Sequence, residues 1–455
     1  MAKIAKVLIA NRGEIARRVI AACRESGFAT VAVHSEADAG LPFVAEADMA
    51  VCIGPAPARD SYLRVDAILR ALRDTKADAV HPGYGFLAEH ADFAEAVQAA
   101  GATWIGPAPE TIRQMGDKQR AREIAQAAGV PVVPGSRRFA PGDLDGLAAA
   151  GEAVGFPLLV KASAGGGGIG MRRVDAQDKL AATVEATQSM AAKAFGDGTV
   201  FLERFIPRAR HVEVQVFGFG DGRAIHAFER DCSLQRRFQK VIEESPAPGL
   251  PDALRSRMAE AAVTLAEATR YEGAGTVEFI LDVETHDFFL LEMNTRIQVE
   301  HPVTEMVTGL DLVGLQLAQA AGTLTALSQA EISFSGAAVE CRLYAENPAK
   351  MFLPAPGPLT RFALPQTGPH LRIDAGYAEG NAVTPHYDPM IAKIIAHGRT
   401  RADAIATARG ALVSTEIEGL RTNREFLIAC LEHDAFLAGE VHTDFIDLHG
   451  KALTR

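Results

Sequence analysis

The first part of the chain alternates short apolar runs with amphipathic stretches. An apolar run at 7–9 precedes residues 14–26, where apolar side chains recur at helical spacing, and a second apolar run follows at 30–33. Further candidates, in the order strand, helix, strand, helix, strand, are residues 50–53, 62–72, 79–80, 91–100 and 103–105. This alternation predicts a doubly wound α/β domain, with Gly27 and Gly101 where helices end.

Domains of this kind bind ligands at the carboxyl ends of their strands. Residues 81–85, His-Pro-Gly-Tyr-Gly, stand at the end of one strand candidate. They therefore form a candidate ligand loop, although the local sequence equally allows a plain Gly/Pro turn.

A second segment contains four successive glycines, 165–168, between strand candidates at 158–161 and 171–174. Glycine loses more backbone entropy on ordering than any other residue, so such a run is expected where the chain moves or approaches a ligand closely. We predict a hinged flap whose backbone amides cover phosphates. From about residue 210 the pattern is mixed α/β, and from Ala337 it becomes rich in strands and turns. We expect this last part to wrap the preceding unit instead of standing apart.

Two acidic residues occupy matching places in a predicted hairpin. Residues 275–281 and 288–294 are strand candidates joined by a polar turn. If the hairpin is symmetric about Thr285, Glu278 and Glu292 lie opposite each other, with their Cβ atoms about 4.5–5.5 Å apart. Their repulsion calls for a cation or a shared proton, and Asn294 adds a carbonyl oxygen that suits Mg²⁺. The alternative is that one glutamate is solvated at the edge of the sheet.

Polar side chains also alternate in two neighbouring segments. Arg296, Gln298 and Glu300 fall on one side of an extended run, which favours an anion-binding and proton-transfer site over a surface ion pair. His211 shares a strand face with Glu213 and Gln215. Together with Glu203, His211 could hold the ribose and base edge of a nucleotide, but the spacing of these residues alone does not show this. The basic run 229–240 is either a solvated loop or a segment that gathers anions.

Composition narrows the choice of partners and compartment. With 46 basic and 57 acidic residues, the net charge is −11, which disfavours nucleic acid and anionic membranes as general partners. The five cysteines include no C-x-x-C pair, so neither a disulfide framework nor a zinc site is indicated. The N-terminus lacks a secretory apolar segment. We therefore expect a cytoplasmic protein, and 455 residues predict two to four domains.

Five motifs then point to one family. They are IANRGEIA at 9–16, HPGYGFL at 81–87, MGDK at 115–118, KASAGGGG at 161–168 and EMNTRIQVEHPVTE at 292–305. In this order the chain resembles the biotin carboxylases, to about Ile446. The resemblance implies an ATP-grasp fold, classed as α/β, with four domains: an N-terminal doubly wound domain (1–117), a lid with the glycine flap (118–206), a catalytic domain (207–335) and a strand-rich C-terminal domain (336–455).

The resemblance implies a two-stage reaction in which bicarbonate attacks the γ-phosphate of ATP to give carboxyphosphate, and CO₂ is then captured by biotin. Matched to the motifs, the phosphate-binding residues are Lys118, Lys161, Gly166, Gly167 and Gly168, and the residues for adenine and other nucleotide groups are Glu203, Arg204, Ile206, His211 and Gln235. Glu278, Glu292 and Asn294 would hold Mg²⁺ or Mn²⁺, with two ions expected.

For bicarbonate and biotin, the residues implied by the resemblance are Tyr84, Lys240, Arg296, Gln298, Val299 and Arg342. Glu300 would be the general base, and Arg342 would stabilise the biotin enolate. Two positions depart from the family pattern: Ile169 replaces a basic residue and Phe238 a histidine. Both changes remove polar contacts near the nucleotide, so we predict weaker ATP binding with the chemistry retained.

The sequence has no Met-Lys dipeptide, so the usual biotin attachment site is absent. Biotin is expected on a separate carrier protein, unless the chain is one domain of a larger polypeptide. A carboxyltransferase subunit and a homodimer follow from the same resemblance, as part of an acyl-CoA carboxylase. Two other functions stay open: a catalytically impaired regulatory subunit, and an ATP-grasp ligase that joins a carboxylate to an amine.

Overall fold

The structure is a computed structural model that describes residues 4–163, 170–236, 239–325 and 327–454. It forms two compact units. The first comprises Met1–Val130, Arg210–Phe279 and Glu292–Arg455, and the second comprises Pro131–Ala209 and Ile280–Leu291. The four domains expected from the family resemblance stay a prediction.

The first unit begins with a five-stranded parallel sheet in the order β3-β2-β1-β4-β5. Its strands are β1 (Lys6–Ile9), β2 (Ala29–Ser35), β3 (Met49–Gly54), β4 (Ala79–His81) and β5 (Thr103–Trp104), and its helices are α1 (Gly13–Glu25), α2 (Pro42–Glu46), α3 (Val65–Thr75), α4 (Ala91–Ala99), α5 (Pro109–Gly116) and α6 (Lys118–Ala127). Val7 and Ile9 belong to one buried cluster and Leu8 to another, so both faces of β1 are covered. The predicted doubly wound architecture is confirmed.

Helix ends in this region follow the predicted glycines. Gly27 comes just after α1 with φ +75°, and Gly101 comes just after α4 with φ +84°. Only glycine adopts this left-handed conformation without a steric penalty. Each glycine therefore ends its helix and turns the chain towards the next strand.

The second unit contains a four-stranded antiparallel sheet in the order β6-β9-β7-β8. Its elements are β6 (Gly135–Phe139), α7 (Leu147–Val154), β7 (Leu158–Ala162), β8 (Met171–Val174), α8 (Leu180–Phe195) and β9 (Val200–Arg204). Leu158, Val160 and Leu202 are buried in its core. The predicted flap residues Gly166, Gly167 and Gly168, together with Ile169, lie outside the described residues, as does Phe238.

An eight-stranded sheet carries most of the polar residues singled out above. Its order is β14-β13-β10-β11-β12-β15-β22-β20, where β20 is Leu371–Ala375 and β22 is Met390–Gly398. The elements from residue 209 to 344 are β10 (Ala209–Phe219), β11 (Ala224–Arg236), β12 (Gln239–Ser245), α9 (Asp252–Ala268), β13 (Glu272–Asp282), β14 (Phe288–Asn294), α10 (His301–Thr308), α11 (Leu312–Ala320) and β15 (Ala337–Tyr344). The basic run 229–240 is not a solvated loop, because its described residues lie in β11 and β12 and most are buried.

The remaining residues form strands, as the pattern beyond Ala337 predicts, and a helical end, which that pattern does not predict. The strands are β16 (Glu346–Asn347), β17 (Leu353–Pro354), β18 (Gly357–Pro358), β19 (Arg361–Ala363), β20 (Leu371–Ala375), β21 (Ala382–Val383), β22 (Met390–Gly398) and β23 (Glu416–Glu418), and the helices are α12 (Arg401–Ser414), α13 (Arg424–Glu432), α14 (Asp434–Leu437) and α15 (Phe445–Leu453). Among the described residues, no helix is both long and apolar enough to cross a membrane.

Candidate active site

A cavity of about 730 Å³ in the first unit collects residues that are far apart in the sequence. They come from the segment after β1, the loop after β4, six strands of the large sheet, the segment before α10 and the segment before the last of those strands. The predicted site residues that line this cavity are Tyr84, His211, Lys240, Glu278, Glu292, Asn294, Arg296, Gln298, Val299, Glu300 and Arg342. The fold thus brings the predicted metal, anion and base residues to one place.

Lys240, on β12, is the central cation of this cavity. Its Nζ lies 2.6 Å from Glu213 Oε2, 2.8 Å from Glu278 Oε1 and 2.5 Å from Glu300 Oε1. Burial by itself would lower the pKa of Lys240, but the three carboxylates raise it well above its ordinary value. Lys240 is therefore charged and holds three acids together.

Glu278 is the most heavily contacted acid in the cavity. Besides Lys240, it accepts hydrogen bonds from Asn294 Nδ2 at 2.8 Å and Gln298 Nε2 at 2.9 Å, and His211 Nε2 lies 2.9 Å from its other oxygen. Burial would raise the pKa of Glu278, but Lys240 and His211 hold it well below its ordinary value. Glu278 is thus a carboxylate that needs cations around it.

Glu292 has a different environment from Glu278. The side chain is exposed to the cavity, and burial together with the charge of Glu278 raises its pKa. Two carboxylates line one cavity, and Glu292 has no cation in contact within the described part of the chain. This pair fits a divalent ion with oxygen ligands. The strands β13 and β14 are neighbours, as the predicted hairpin requires.

Asn294 is oriented by two of its neighbours. Its Nδ2 donates to Glu278, and its Oδ1 accepts from Arg296 Nη2 at 2.9 Å. The amide would have to turn to offer its oxygen to a metal, and its role as a ligand stays a prediction. Arg296 also donates to Gln298 Oε1 at 3.2 Å and pairs with Glu89 at 2.9 Å, so these two alternating residues lie on one side. Glu300 lines the same cavity, but the chain forms a turn there instead of the predicted extended run.

Glu300 occupies the N-cap position of α10 and is fully buried. Lys240 lies at one of its oxygens, and Arg342 Nη2 lies 3.0 Å from the other. Burial would raise the pKa of Glu300, but Lys240, Arg342 and Arg230 hold it well below its ordinary value. The residue is therefore ionised and can accept a proton, although these cations weaken it as a base.

The wall formed by β10 contains the predicted polar face. Glu213 lies opposite Arg230 in the antiparallel register, and Arg230 Nε is 2.6 Å from Glu213 Oε1. The same guanidinium donates to Gln215 at 2.8 Å and to Thr304 at 2.8 Å, and it is entirely buried. His211, Glu213 and Gln215 thus face one side, as the alternation predicts.

The loop after β4 forms another part of the cavity. Asn11, at the end of β1, donates to the carbonyls of Pro82 at 2.7 Å and Tyr84 at 2.6 Å. The Tyr84 hydroxyl in turn donates to Glu14. The loop is therefore built into the site at the carboxyl ends of β1 and β4, and it is more than a plain turn.

The residues expected to bind the nucleotide divide between the two units, and each set is described in its own unit. His211, Gln235 and Lys118 belong to the first unit. Lys161, Glu203, Arg204 and Ile206 belong to the second unit, where Lys161 Nζ pairs with Glu203 Oε1 at 2.7 Å. Nothing in these contacts assigns a nucleotide, so these roles stay predictions.

Several residues of the site had no predicted role. Arg230 and Glu213 are a cross-strand pair, and Lys393 is a buried lysine whose Nζ donates to the carbonyl of Val299 at 2.8 Å. Their sequence signal is weak, because Lys393 is one charged residue within a largely apolar strand, whereas Arg230 and Glu213 stand in strands with several polar residues. Only the register of strands far apart in the chain pairs them with the cavity.

Three family models match the chain: "Biotin carboxylase, N-terminal domain" over residues 3–112, "Carbamoyl-phosphate synthase L chain, ATP binding domain" over 117–327 and "Biotin carboxylase C-terminal domain" over 340–448. Biotin carboxylase 1 of Bacillus subtilis (strain 168) is 48% identical over 446 residues, which cover 98% of this chain and 99% of that protein. The mitochondrial methylcrotonoyl-CoA carboxylase subunit alpha of Rattus norvegicus is 49% identical over 450 residues, which cover 99% of this chain but 63% of that protein.

Among solved structures, the fold is similar to the biotin carboxylase domain dimer of Hydrogenobacter thermophilus 2-oxoglutarate carboxylase, in complex with MgADP, ADP and bicarbonate. The TM-score is 0.90 at 41% identity, and the match covers 100% of this chain and 99% of that chain.

Proposed function

The chain belongs to the biotin carboxylase family and is an ATP-dependent ligase, and from this premise we propose that it carboxylates biotin carried by a separate protein, as the first half-reaction of an acyl-CoA carboxylase. The reaction would proceed through carboxyphosphate. The observation that carries the proposal is the meeting of Glu300, Lys240 and Arg342 in one cavity with the carboxylates Glu278 and Glu292.

In this function, cations hold the anionic reactants and one carboxylate moves a proton. Arg296, Lys240 and the backbone at Val299 would seat bicarbonate, with Gln298 as a polar partner and Tyr84 at the cavity rim near biotin. Glu300 would take the bicarbonate proton. Because Lys240 and Arg342 depress the pKa of Glu300, an anion that draws either cation towards itself would make Glu300 a stronger base.

Mg²⁺ or Mn²⁺ would be held by Glu278 and Glu292, with Asn294 as a further ligand. When bound, the ions would neutralise phosphate charge during phosphoryl transfer. Lys118 and Lys161 would contact phosphates, and Glu203, Arg204, Ile206, His211 and Gln235 would bind the rest of the nucleotide. Lys240 contacts Glu278 and supplies positive charge to that acid.

The partners follow from the same proposal. A biotin carrier protein would bring biotin to the cavity, and a carboxyltransferase subunit would use the carboxybiotin. The likeness to the alpha subunit of the rat carboxylase and to a dimeric biotin carboxylase domain supports an acyl-CoA carboxylase assembly and a homodimer. We place these events in the cytoplasm.

The deciding assay measures ATP hydrolysis that requires bicarbonate and is stimulated by free biotin. We expect both dependences in the wild type and their loss in Glu300→Gln. Glu229→Gln is the matched control, because Glu229 is a buried glutamate paired with Arg255 at 2.8 Å outside the cavity. Absence of turnover in the wild type would favour the regulatory subunit, and stimulation by an amine in place of biotin would favour the other ligase class.

A further inference from the structure

Two glutamates behind the cavity face each other inside the large sheet. Glu243 on β12 and Glu340 on β15 are direct partners in the antiparallel register. Both side chains are fully buried, and neither carboxylate oxygen of Glu340 has a hydrogen-bond donor among the described residues. Like charges directly opposite each other destabilise a sheet, and burial strengthens the repulsion.

The cations around this pair are already engaged elsewhere. Lys240 is shared by the acids of the cavity, and Lys393 lies 3.1 Å from Glu14 and 3.5 Å from Asp374. The remaining neighbour is Arg342, two residues after Glu340 on the same strand. His301 at the start of α10 adds no charge, because burial, with the nearby Lys393, Arg372 and Arg18, lowers its pKa well below its ordinary value.

Arg342 is itself shared between two acids. Its Nη2 lies 2.5 Å from Glu243 Oε1 and 3.0 Å from Glu300 Oε2. One guanidinium thus faces three carboxyl groups, those of Glu243, Glu340 and Glu300. When two carboxyl groups share a buried site that lacks enough positive charge, one of them keeps its proton.

We propose that Glu243 and Glu340 share one proton, which lies mainly on Glu340, and that ionised Glu243 positions Arg342 beside Glu300. Burial first, and then the charges of Glu243 and Glu300, raise the pKa of Glu340 well above its ordinary value, in spite of Lys393 and Arg342. Burial also raises the pKa of Glu243, to about 7, but Glu243 is the member in contact with Arg342 and is therefore the better candidate for the charge.

Glu243 would then limit how firmly Arg342 binds Glu300. Without it, Arg342 would pair with Glu300 alone, weaken that base further and withdraw from the cavity. This role of Arg342 rests on the proposed function, whereas the sharing of a proton does not. The two parts can therefore be tested separately.

The first test is infrared spectroscopy of the full chain at about pH 9, read without turnover; this pH lies two units above the pKa of about 7 to which burial raises Glu243. The wild type minus Glu340→Gln difference spectrum should contain one protonated carboxylic acid band. The Glu340→Gln minus Glu243→Gln/Glu340→Gln difference should contain none, because Glu243 alone stays ionised. A missing band in the first difference, or a band in the second, overturns the shared proton whether or not the chain proves to carboxylate biotin.

The second test compares the variants in biotin-stimulated ATP hydrolysis. Glu340→Gln mimics the protonated acid and should keep kcat within about twofold of the wild type. Glu243→Gln should lower kcat about 10- to 100-fold, the size of loss that follows removal of an outer-shell partner. The KM for ATP should stay unchanged in both variants. Glu243→Asp should restore part of kcat. Glu244→Gln is the matched control, because Glu244 is the next residue on β12, also buried, but paired with Arg401 at 2.6 Å. Equal losses in Glu340→Gln and Glu243→Gln, or a loss in Glu244→Gln as large as in Glu243→Gln, would refute the positioning role.

Discussion

Replacement of Lys240 by glutamine tests the electrostatic account of the cavity most directly. The change removes the ammonium that lies within 2.8 Å of oxygens from Glu213, Glu278 and Glu300. Loss of one partner from a buried ion pair costs about 3–5 kcal/mol, because the remaining charge is left in a poorly solvated site.

The three acids are not left without cations in this variant. Each retains a second partner: Arg230 at 2.6 Å for Glu213, His211 at 2.9 Å for Glu278 and Arg342 at 3.0 Å for Glu300. We therefore expect a loss in the free energy of unfolding at the lower end of that range, about 3 kcal/mol at pH 8.

The loss should depend on pH in a defined direction. In the wild type, the pKa values of Glu278 and Glu300 are lowered in the folded state, so their contribution to stability is present above the pKa of the unfolded chain and lost only at strongly acidic pH. Without Lys240 these pKa values rise, so the acids can take up protons as the pH falls. The difference in the free energy of unfolding between variant and wild type should therefore be smaller at pH 5.5 than at pH 8. The carboxylate pKa in an unfolded chain lies about one unit below the first value and several units below the second.

The assay is urea unfolding followed by the fluorescence of Trp104. This residue is the single tryptophan of the chain, is 6% exposed and lies in the first unit, so it reports the unit that contains the cavity. Lys451→Gln, an exposed lysine of the same unit, is the control and should change the free energy of unfolding very little. A loss below about 1 kcal/mol for Lys240→Gln, or an equal loss at both pH values, would refute the reasoning.

Three further predictions concern metal binding, a buried ion pair and nucleotide binding. Glu292→Gln should weaken Mn²⁺ binding measured by electron paramagnetic resonance. Burial and the charge of Glu278 raise the pKa of Glu292, so the Mn²⁺ affinity of the wild type should rise from pH 5.5 to 7.5 as Glu292 loses its proton. An Mn²⁺ affinity that does not change with pH would contradict this. Arg230→Met should lower the free energy of unfolding by about 3–5 kcal/mol, since it removes the guanidinium that contacts Glu213 and leaves that acid with Lys240 and the more distant His211. An unchanged urea midpoint would disprove it. The Ile169→Arg/Phe238→His double variant should bind ATP more tightly by calorimetry, and an unchanged Kd would refute the predicted cost of those residues.

The predictions that succeeded rest on local sequence period and turn chemistry. Apolar runs of strand length alternating with amphipathic stretches predicted the parallel sheet, and glycines marked the ends of α1 and α4. The hairpin of β13 and β14 followed from two apolar runs around a polar turn, and it carries Glu278 and Glu292 to one cavity. These features depend on residues a few positions apart, so the sequence states them directly.

The neutralisation of the acids could not be predicted in the same way. The repulsion between Glu278 and Glu292 called for a cation, but the cation in contact with Glu278 is Lys240, from a strand about forty residues earlier in the chain. The basic run 229–240 had two interpretations because its charges alone do not reveal burial. Its strand register, with Glu213 opposite Arg230, decided between them.

By itself, the amino-acid sequence determined the order of strands and helices, the acidic hairpin and the family to which the motifs belong. The tertiary structure decided which charges meet: Lys240 with three acids, Arg342 between Glu243 and Glu300, and Glu243 opposite Glu340. The physical reason is that secondary structure follows short-range periodicity, whereas charge pairing depends on the register of strands that are distant in the chain. Burial and the neighbouring charges then determine the protonation of each acid.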